Sequence, residues 1–269
     1  MLKTERMDRV RAALRAQGLT QMIVCDPKSV WYLTGVAVEP YERMLALYLP
    51  TEGEPVLFLN RLFNVPEPPC RTVWHTDTDK PVAQIAEVVD AGRPLGIDKE
   101  WPAKFLIPLM ETHPGMQVVL SSDCVDDCRA CKDAEEQTLM REASRINDAV
   151  NEAAKHYIKA GMTEREVAEF IGAQFRAHGC EGPSFTTIVS FGANTADPHH
   201  EPDDTVLKEG DCVLFDMGCV KSRYCSDMTR TWFCGQPTEK QAAVHDLVRR
   251  ANEAAEALIK PGVRLCELD

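Results

Sequence analysis

A polar stretch at residues 121–132 divides the sequence into two parts whose apolar residues follow different patterns. In the first part, short apolar runs of strand length, for example 21–25 and 44–50, alternate with segments of helical periodicity. The polar stretch itself contains three aspartates and no apolar periodicity, which is typical of a connecting segment. We therefore predict two domains, 1–126 and 127–269, and expect the first to be an α/β domain.

The second part opens with two helices that carry clear capping signals. Asp133 is the expected N-cap of a long helix that ends near Gly161. Thr163 and Glu166 have the spacing of a capping box and open a second helix. Residues 185–233 instead alternate between apolar and polar and break at turn residues, and a third helix follows. This mixture predicts an α+β domain.

Charge and hydropathy exclude several classes of partner. The net charge of −12 would repel a phosphate backbone, so nucleic acid is not an expected partner. The longest apolar runs fall far short of the roughly 20 residues that a membrane-spanning helix needs. The N-terminal residues form a charged amphipathic pattern without the apolar core of a signal peptide. We therefore expect a cytoplasmic protein with no membrane partner.

The eleven cysteines lack the spacing of a small disulfide scaffold and are expected to be reduced thiols. Cys124, Cys128 and Cys131 have helical spacings that a metal or a redox pair could use. A structural zinc needs a fourth ligand, and no paired motif supplies one. We therefore favour the interpretation that these three residues are small buried hydrophobic side chains.

Two aspartates stand out in the second part. Asp216 lies within the apolar run "VLFDMG", and Asp227 follows on the next predicted strand. If strands 212–220 and 223–233 form a hairpin closed by Lys221 and Ser222, the two aspartates fall directly opposite each other. Opposed residues in an antiparallel pair hold their Cβ atoms about 4.5–5.5 Å apart.

Two carboxylates at such a separation repel each other unless a cation lies between them. Their oxygens suit one or two divalent ions, and a pair of ions can activate a water molecule as a nucleophile. The alternative is a pair of ordinary strand aspartates, one facing solvent and one meeting a turn or Arg230. Burial of an uncompensated carboxylate costs several kcal/mol, and the apolar surroundings of Asp216 therefore favour a metal site.

A histidine pair, His199 and His200, lies upstream in a loop flanked by prolines. Taken alone, such a pair is more typical of an exposed loop than of a site.

Residues 190–233, "SFGANTADPHHEPDDTVLKEGDCVLFDMGCVKSRYCSDMTRTWF", resemble the pita-bread metallopeptidases. These are Xaa-Pro dipeptidase (prolidase), aminopeptidase P and, more distantly, methionine aminopeptidase. The interval from Asn194 to His199, the bridge "PDDTVLKEGD", the aspartate of "FDMG" and the segment "YCSDMTRT" occur in the family's order and register. The first domain is similar to the N-terminal domain of the prolidase and creatinase branch, with "VWYLTG" as its best local match.

The resemblance implies an α/β creatinase/prolidase-type N-terminal domain followed by the first half of an α+β pita-bread domain. It implies that Asp216 chelates one metal ion, that Asp227 bridges two, and that His199 donates a hydrogen bond to the substrate or the tetrahedral intermediate. It assigns no role to His200. The expected cofactor is a pair of divalent ions, with manganese favoured and cobalt, zinc or iron as alternatives. A metal-activated hydroxide would attack the carbonyl before proline in dipeptides or short peptides, and a homodimer is expected.

The sequence also departs from the family. Arg223 stands where the family often has glycine, which eases a hairpin turn. The sequence therefore does not fix which residues form the turn between the two strands. The resemblance further implies a histidine and two glutamates on later strands, so that only two of five expected metal ligands are in this sequence. We therefore expect a truncated chain that binds metal weakly or not at all and is inactive alone.

Two other functions remain open. A creatinase-like amidinohydrolase uses the same architecture without metal and generally lacks the aspartate pair. A non-catalytic binding homologue would use its acidic surface and cleft to hold a partner protein. The presence of both Asp216 and Asp227 favours the peptidase.

Overall fold

The structure, a computed structural model, describes residues 2–268. The chain divides into two units between Lys132 and Asp133. The boundary predicted after residue 126 falls instead inside a helix, Asp123–Ala130. This helix belongs to the first unit because Cys124, Val125 and Cys128 are buried in that unit's core.

The first unit is built on a mixed sheet of six strands in the order β4-β3-β2-β1-β5-β6. Strand β1 pairs in parallel with β5 and antiparallel with β2, while β3 pairs in parallel with β4 and β5 with β6. The strands are β1 (Gln21–Val24), β2 (Ala46–Pro50), β3 (Val56–Asn60), β4 (Arg71–His75), β5 (Leu95–Ile97) and β6 (Val118–Leu120).

Helices cover both faces of this sheet. They are α1 (Thr4–Ala16), α2 (Pro27–Thr34), α3 (Pro81–Ala86), α4 (Ala103–Thr112) and α5 (Asp123–Ala130). Alternate residues of β1 show the two faces: Met22 packs in the cluster that contains residues of α1, α2 and α5, and Ile23 in the cluster of α3 and α4. The predicted α/β class is confirmed. Burial on both faces explains why β1 and β3 are almost continuously apolar.

All eleven cysteines are free thiols. Cys124 and Cys128 are buried, which confirms their interpretation as small core side chains. The same prediction is wrong for Cys131, which is exposed at the C-cap position of α5. Burial raises the pKa of the Cys124 thiol to about 11, so this thiol is protonated at neutral pH.

The second unit has three long helices, and each begins with a capping box. Asp133 caps α6 (Ala134–Tyr157), Thr163 caps α7 (Glu164–Ala177) and Thr238 caps α8 (Glu239–Leu258). The capping predictions are confirmed. Helix α6 ends at Tyr157, before the predicted Gly161, which adopts a positive φ of 95° in the turn that follows.

The strands of the second unit form two small antiparallel sheets, in the orders β11-β10-β7 and β12-β9-β8. They are β7 (Gly182–Pro183), β8 (Ile188–Phe191), β9 (Cys212–Met217), β10 (Cys219–Lys221), β11 (Tyr224–Cys225) and β12 (Met228–Phe233). Along β9, Val213, Phe215 and Met217 are buried against residues of α6 and α7. Leu214 and Asp216 alternate with them on the other, half-buried face.

Helix α8 has no buried residue and exposes Val244, Leu247 and Val248. No helix within residues 2–268 is long and apolar enough to cross a bilayer.

Candidate active site

The hairpin that carries the two aspartates has a different register from the predicted one. Asp216 pairs with Thr229 and not with Asp227. The turn consists of Ser222 and Arg223, because Lys221 already pairs with Tyr224. Both turn residues adopt positive φ angles, 49° and 66°, which a tight two-residue hairpin turn requires of its central positions.

The prediction that the aspartates are directly opposed is therefore wrong. The residue pairs before Asp227 and those after it in the sequence follow the same register. This register places Asp227 opposite Gly218. Because side chains alternate along a strand, Asp216 and Asp227 belong to the same face as diagonal neighbours. Diagonal neighbours are roughly 7–8 Å apart, which still allows a cation to contact both side chains.

Gly218 allows the close approach of the two strands at this point. A Cβ atom at this position would collide with the Ser226 carbonyl oxygen and the Ser184 hydroxyl. The Ser184 hydroxyl donates to that same carbonyl at 2.8 Å, so the space is already filled. The glycine of the "FDMG" segment is thus required by packing beside Asp227.

Asp216 has an unpartnered oxygen. Its Oδ1 atom is buried and has no hydrogen-bond partner among residues 2–268. Asp227 is exposed. Within the described chain, neither carboxylate forms an ion pair with an arginine or a lysine. An unsatisfied buried acceptor costs about 1–3 kcal/mol, and a bound cation removes that cost. The donor set therefore fits a hard divalent cation.

His199 lies in the exposed loop that follows the 3-10 turn Gly192–Ala196. Its backbone N–H donates to Asp197 Oδ1 at 2.9 Å. Its imidazole has no hydrogen-bond partner in the described part of the chain and is free to donate to a ligand.

A second cluster, which the sequence did not reveal, is centred on Glu164 at the start of α7. Glu164 is fully buried, and its Oε2 accepts the His200 Nε2–H at 2.6 Å. Its Oε1 accepts the Phe191 N–H at 2.7 Å and the Asn194 side-chain N–H at 3.0 Å. His200 therefore fixes the loop next to His199. Only tertiary structure reveals this role, because the partners of Glu164 lie far from it in the sequence.

Glu164, His200 and Asp203 could by proximity hold a metal ion, since their ligand atoms lie within 4.8 Å of one another. However, both Glu164 oxygens already accept hydrogen bonds, including one from the Asp203 N–H at 3.2 Å. The hydroxyl of Thr205, and then its N–H, donate to Asp203 and hold the pKa of that carboxyl below the usual range. We therefore interpret this cluster as a hydrogen-bond network.

Comparisons with known proteins identify a family for each of the two units. The profile of metallopeptidase family M24 matches residues 138–269, and that of the creatinase/prolidase N-terminal domain matches residues 6–131. The putative dipeptidase YkvY of Bacillus subtilis is 31% identical over 98% of this chain and 75% of its own length.

Solved structures show the same fold. A prolidase from Thermococcus sibiricus superposes with a TM-score of 0.89 at 29% identity, over 98% of this chain and 74% of that one. The dipeptidase PepE from Mycobacterium ulcerans gives a TM-score of 0.90 at 30% identity, over 99% and 74% of the two chains. The resemblance inferred from residues 190–233 and the predicted domain types are confirmed. The chain therefore belongs to metallopeptidase family M24 and carries the creatinase/prolidase type of N-terminal domain.

Proposed function

We propose that this protein is a metal-dependent peptidase that cleaves Xaa-Pro bonds, with Asp216 and Asp227 as metal ligands. The observation that carries this proposal is the buried, unpartnered Oδ1 of Asp216 on the same strand face as Asp227. Membership of family M24 supports peptide hydrolysis. The names prolidase and dipeptidase borne by similar structures support a dipeptide or short peptide with proline after the scissile bond.

Each residue has a defined task in this proposal. Asp216 and Asp227 would hold the divalent ions through their carboxylate oxygens. When bound, the ions polarise the scissile carbonyl and lower the pKa of a water molecule. His199 donates a hydrogen bond to the carbonyl oxygen as negative charge develops there. The contact between Glu164 and His200 keeps the His199 loop in place.

Manganese is the proposed metal because carboxylate oxygens suit Mn²⁺, Mg²⁺ and Ca²⁺ better than softer ions. Two carboxylates are few donors for a pair of ions that each prefer about six ligands. We therefore propose that this chain by itself binds manganese weakly and does not turn over peptide. A homodimeric state and a cytoplasmic location remain predictions from the resemblance and the N-terminal sequence.

Calorimetric titration with Mn²⁺ tests this proposal. We expect weak, saturable binding to the wild-type chain and none to Asp216→Asn or Asp227→Asn, because each substitution removes a charged ligand oxygen. Glu169→Gln is the matched control, since Glu169 is an exposed carboxylate on α7. Unchanged binding in both aspartate variants would refute the assignment.

Glycyl-proline hydrolysis, followed in the same samples, tests the proposal that this chain does not turn over peptide. We expect no turnover by this chain alone. Robust turnover would contradict the claim that two carboxylates are too few, and turnover that survives a chelator would favour a metal-independent amidinohydrolase.

A further inference from the structure

A cavity of about 550 Å³ lies in the first unit, at the carboxyl ends of the parallel strands β1 and β5. Helix α2 leaves β1 toward one face of the sheet, where Leu33 is buried. Helix α4 leaves β5 toward the other face, where Leu109 is buried. In open α/β sheets, ligands bind where neighbouring parallel strands send their chains to opposite faces. The volume lies within the range of about 300–1,000 Å³ that is usual for small-molecule sites.

A buried carboxylate holds two of the loops that line the cavity together. Asp98, 5% exposed, follows β5 and accepts hydrogen bonds from the backbone N–H groups of Cys25 and Asp26, both at 3.1 Å. It also accepts the N–H of Glu100 at 3.0 Å. These bonds tie the loop after β1 to the loop after β5. The walls are therefore in place before any ligand arrives.

The Cys25 side chain contributes an uncharged surface to the cavity. Burial, and then the negative charge of Asp98, raise the pKa of its thiol far above the usual range. The thiol is therefore neutral at physiological pH and is not a nucleophile.

Most of the charged groups that line the cavity are already paired. The ion pairs are Arg43 with Asp77 at 2.9 Å, Lys99 with Asp126 at 2.5 Å and Arg129 with Asp26 at 3.3 Å. Lys28 and Glu100 also line the cavity. Within residues 2–268, their side chains form no hydrogen bond or ion pair. The cavity thus presents one ammonium group and one carboxylate that are available to a ligand.

An aromatic wall completes the cavity. Trp101, 6% exposed, packs beside Phe105 with ring centroids 6.3 Å apart. The Trp101 indole N–H is buried and has no acceptor within the described chain. A buried donor without an acceptor is rare, and a ligand oxygen can satisfy it.

We propose that this cavity binds a small zwitterion with an apolar side chain, namely an α-amino acid or a dipeptide. The ligand carboxylate pairs with Lys28, the ligand ammonium pairs with Glu100, and the apolar side chain packs on Trp101 and Phe105. All these residues belong to the first unit. The inference therefore holds whether or not the aspartate pair of the second unit binds metal.

Titration of the full chain with L-phenylalanine by calorimetry or ligand-observed NMR tests the proposal. The matched probes are 3-phenylpropionate, which lacks the ammonium group, and 2-phenylethylamine, which lacks the carboxylate. We expect saturable binding of L-phenylalanine and binding of each matched probe that is about tenfold weaker, because each loses one charge-assisted contact. Glycyl-L-phenylalanine in a parallel titration shows whether the dipeptide or the free amino acid binds more tightly. The proposal is overturned if neither binds.

Two variants identify the contacts. Lys28→Met should weaken phenylalanine binding about tenfold and make phenylalanine and phenylethylamine bind equally. Glu100→Gln should likewise remove the preference for phenylalanine over phenylpropionate. Both side chains are exposed, so the fold should be retained. Lys80→Met and Glu52→Gln are controls, because these exposed residues of the same unit lie outside the cavity. If Lys28→Met and Glu100→Gln behave like the controls, the assigned contacts are wrong.

Discussion

At the scale of single residues, Glu164 and Asp216 show opposite ways of placing a carboxylate in the second unit. Glu164 is fully buried, and both its oxygens accept N–H groups from three surrounding segments. Asp216 is half-buried, and its Oδ1 has no hydrogen-bond partner among residues 2–268. The satisfied carboxylate stabilises the fold, whereas the unsatisfied one is a cost that a ligand can offset.

The first prediction concerns Glu164→Gln. The substitution keeps the size of the side chain but removes its charge. It also replaces one acceptor oxygen by an amide NH₂, which faces N–H groups and cannot accept hydrogen bonds from them. We expect the free energy of unfolding to fall by about 3 kcal/mol, as for a broken buried charge contact. Urea unfolding measures the change, with Glu169→Gln on the same helix as the control. Equal stability of the two variants would show that the network around His200 contributes little.

The sequence predicted the roles of some residues and not those of others. Asp216 was identified because a charged residue within an apolar run needs compensation. His200 could not be given a role, and Glu164 was missed, because the hydrogen bonds that define both form between distant parts of the chain. Pattern arguments detect a residue that conflicts with its neighbours and do not detect one whose partners come from elsewhere.

At the scale of elements, the N-cap of α6 and the capping box of α7 agree between sequence and structure because a cap is a local interaction. Helix α2 was missed although Asp26 and Pro27 form a helix start, with the Asp26 carboxylate accepting the Ser29 N–H. The sequence predicts a connecting segment where α5 lies, because the outward aspartates of this helix mask the apolar pattern of the buried Cys124 and Cys128. The sequence predicted the wrong turn for the hairpin. The alternation of apolar and polar residues determines on which face of the sheet a side chain lies, whereas the turn determines which residue of the other strand lies opposite it.

The second prediction concerns the α7 cap. The Thr163 N–H and hydroxyl donate to Glu166 and lower the pKa of its carboxyl from the ordinary value of 4.5. A carboxylate with a lowered folded pKa stabilises the fold above its unfolded pKa, and this contribution is lost as the pH falls through the folded pKa. Glu166→Gln keeps a cap acceptor without the charge. We therefore expect wild type to be more stable than the variant above pH 4.5 and the difference to vanish on acidification.

Urea unfolding of both proteins across this pH range is the measurement. Glu169→Gln should not reproduce the effect, because the capping box of α7 is formed by Thr163 and Glu166. A difference between wild type and Glu166→Gln that does not change with pH would mean that the charge of Glu166 does not support the cap.

At the scale of the whole molecule, the chain contains two units with separate cores and separate candidate sites. The first has a polar cavity at the strand ends of a mixed sheet. The second has Asp216 on the face of β9 that points away from α6 and α7, with Asp227 on the segment between β11 and β12. Apolar patterning was enough to predict both units and their classes. The network around Glu164 and the cavity were not predicted, because both depend on loops that meet only in the folded chain.

The central claim is that Asp216 Oδ1 is left unpartnered in order to bind a divalent cation. Its most direct test is the stability of wild type and Asp216→Asn with a chelator and with saturating Mn²⁺. Because a ligand that binds only the folded state stabilises it, Mn²⁺ should raise the unfolding midpoint of wild type and leave that of Asp216→Asn unchanged. With chelator, the variant should be at least as stable as wild type, since it lacks the unpaired charge. The claim would be contradicted if Asp216→Asn were less stable than wild type in chelator. It would also be contradicted if Mn²⁺ raised the unfolding midpoint of Asp216→Asn as much as that of wild type.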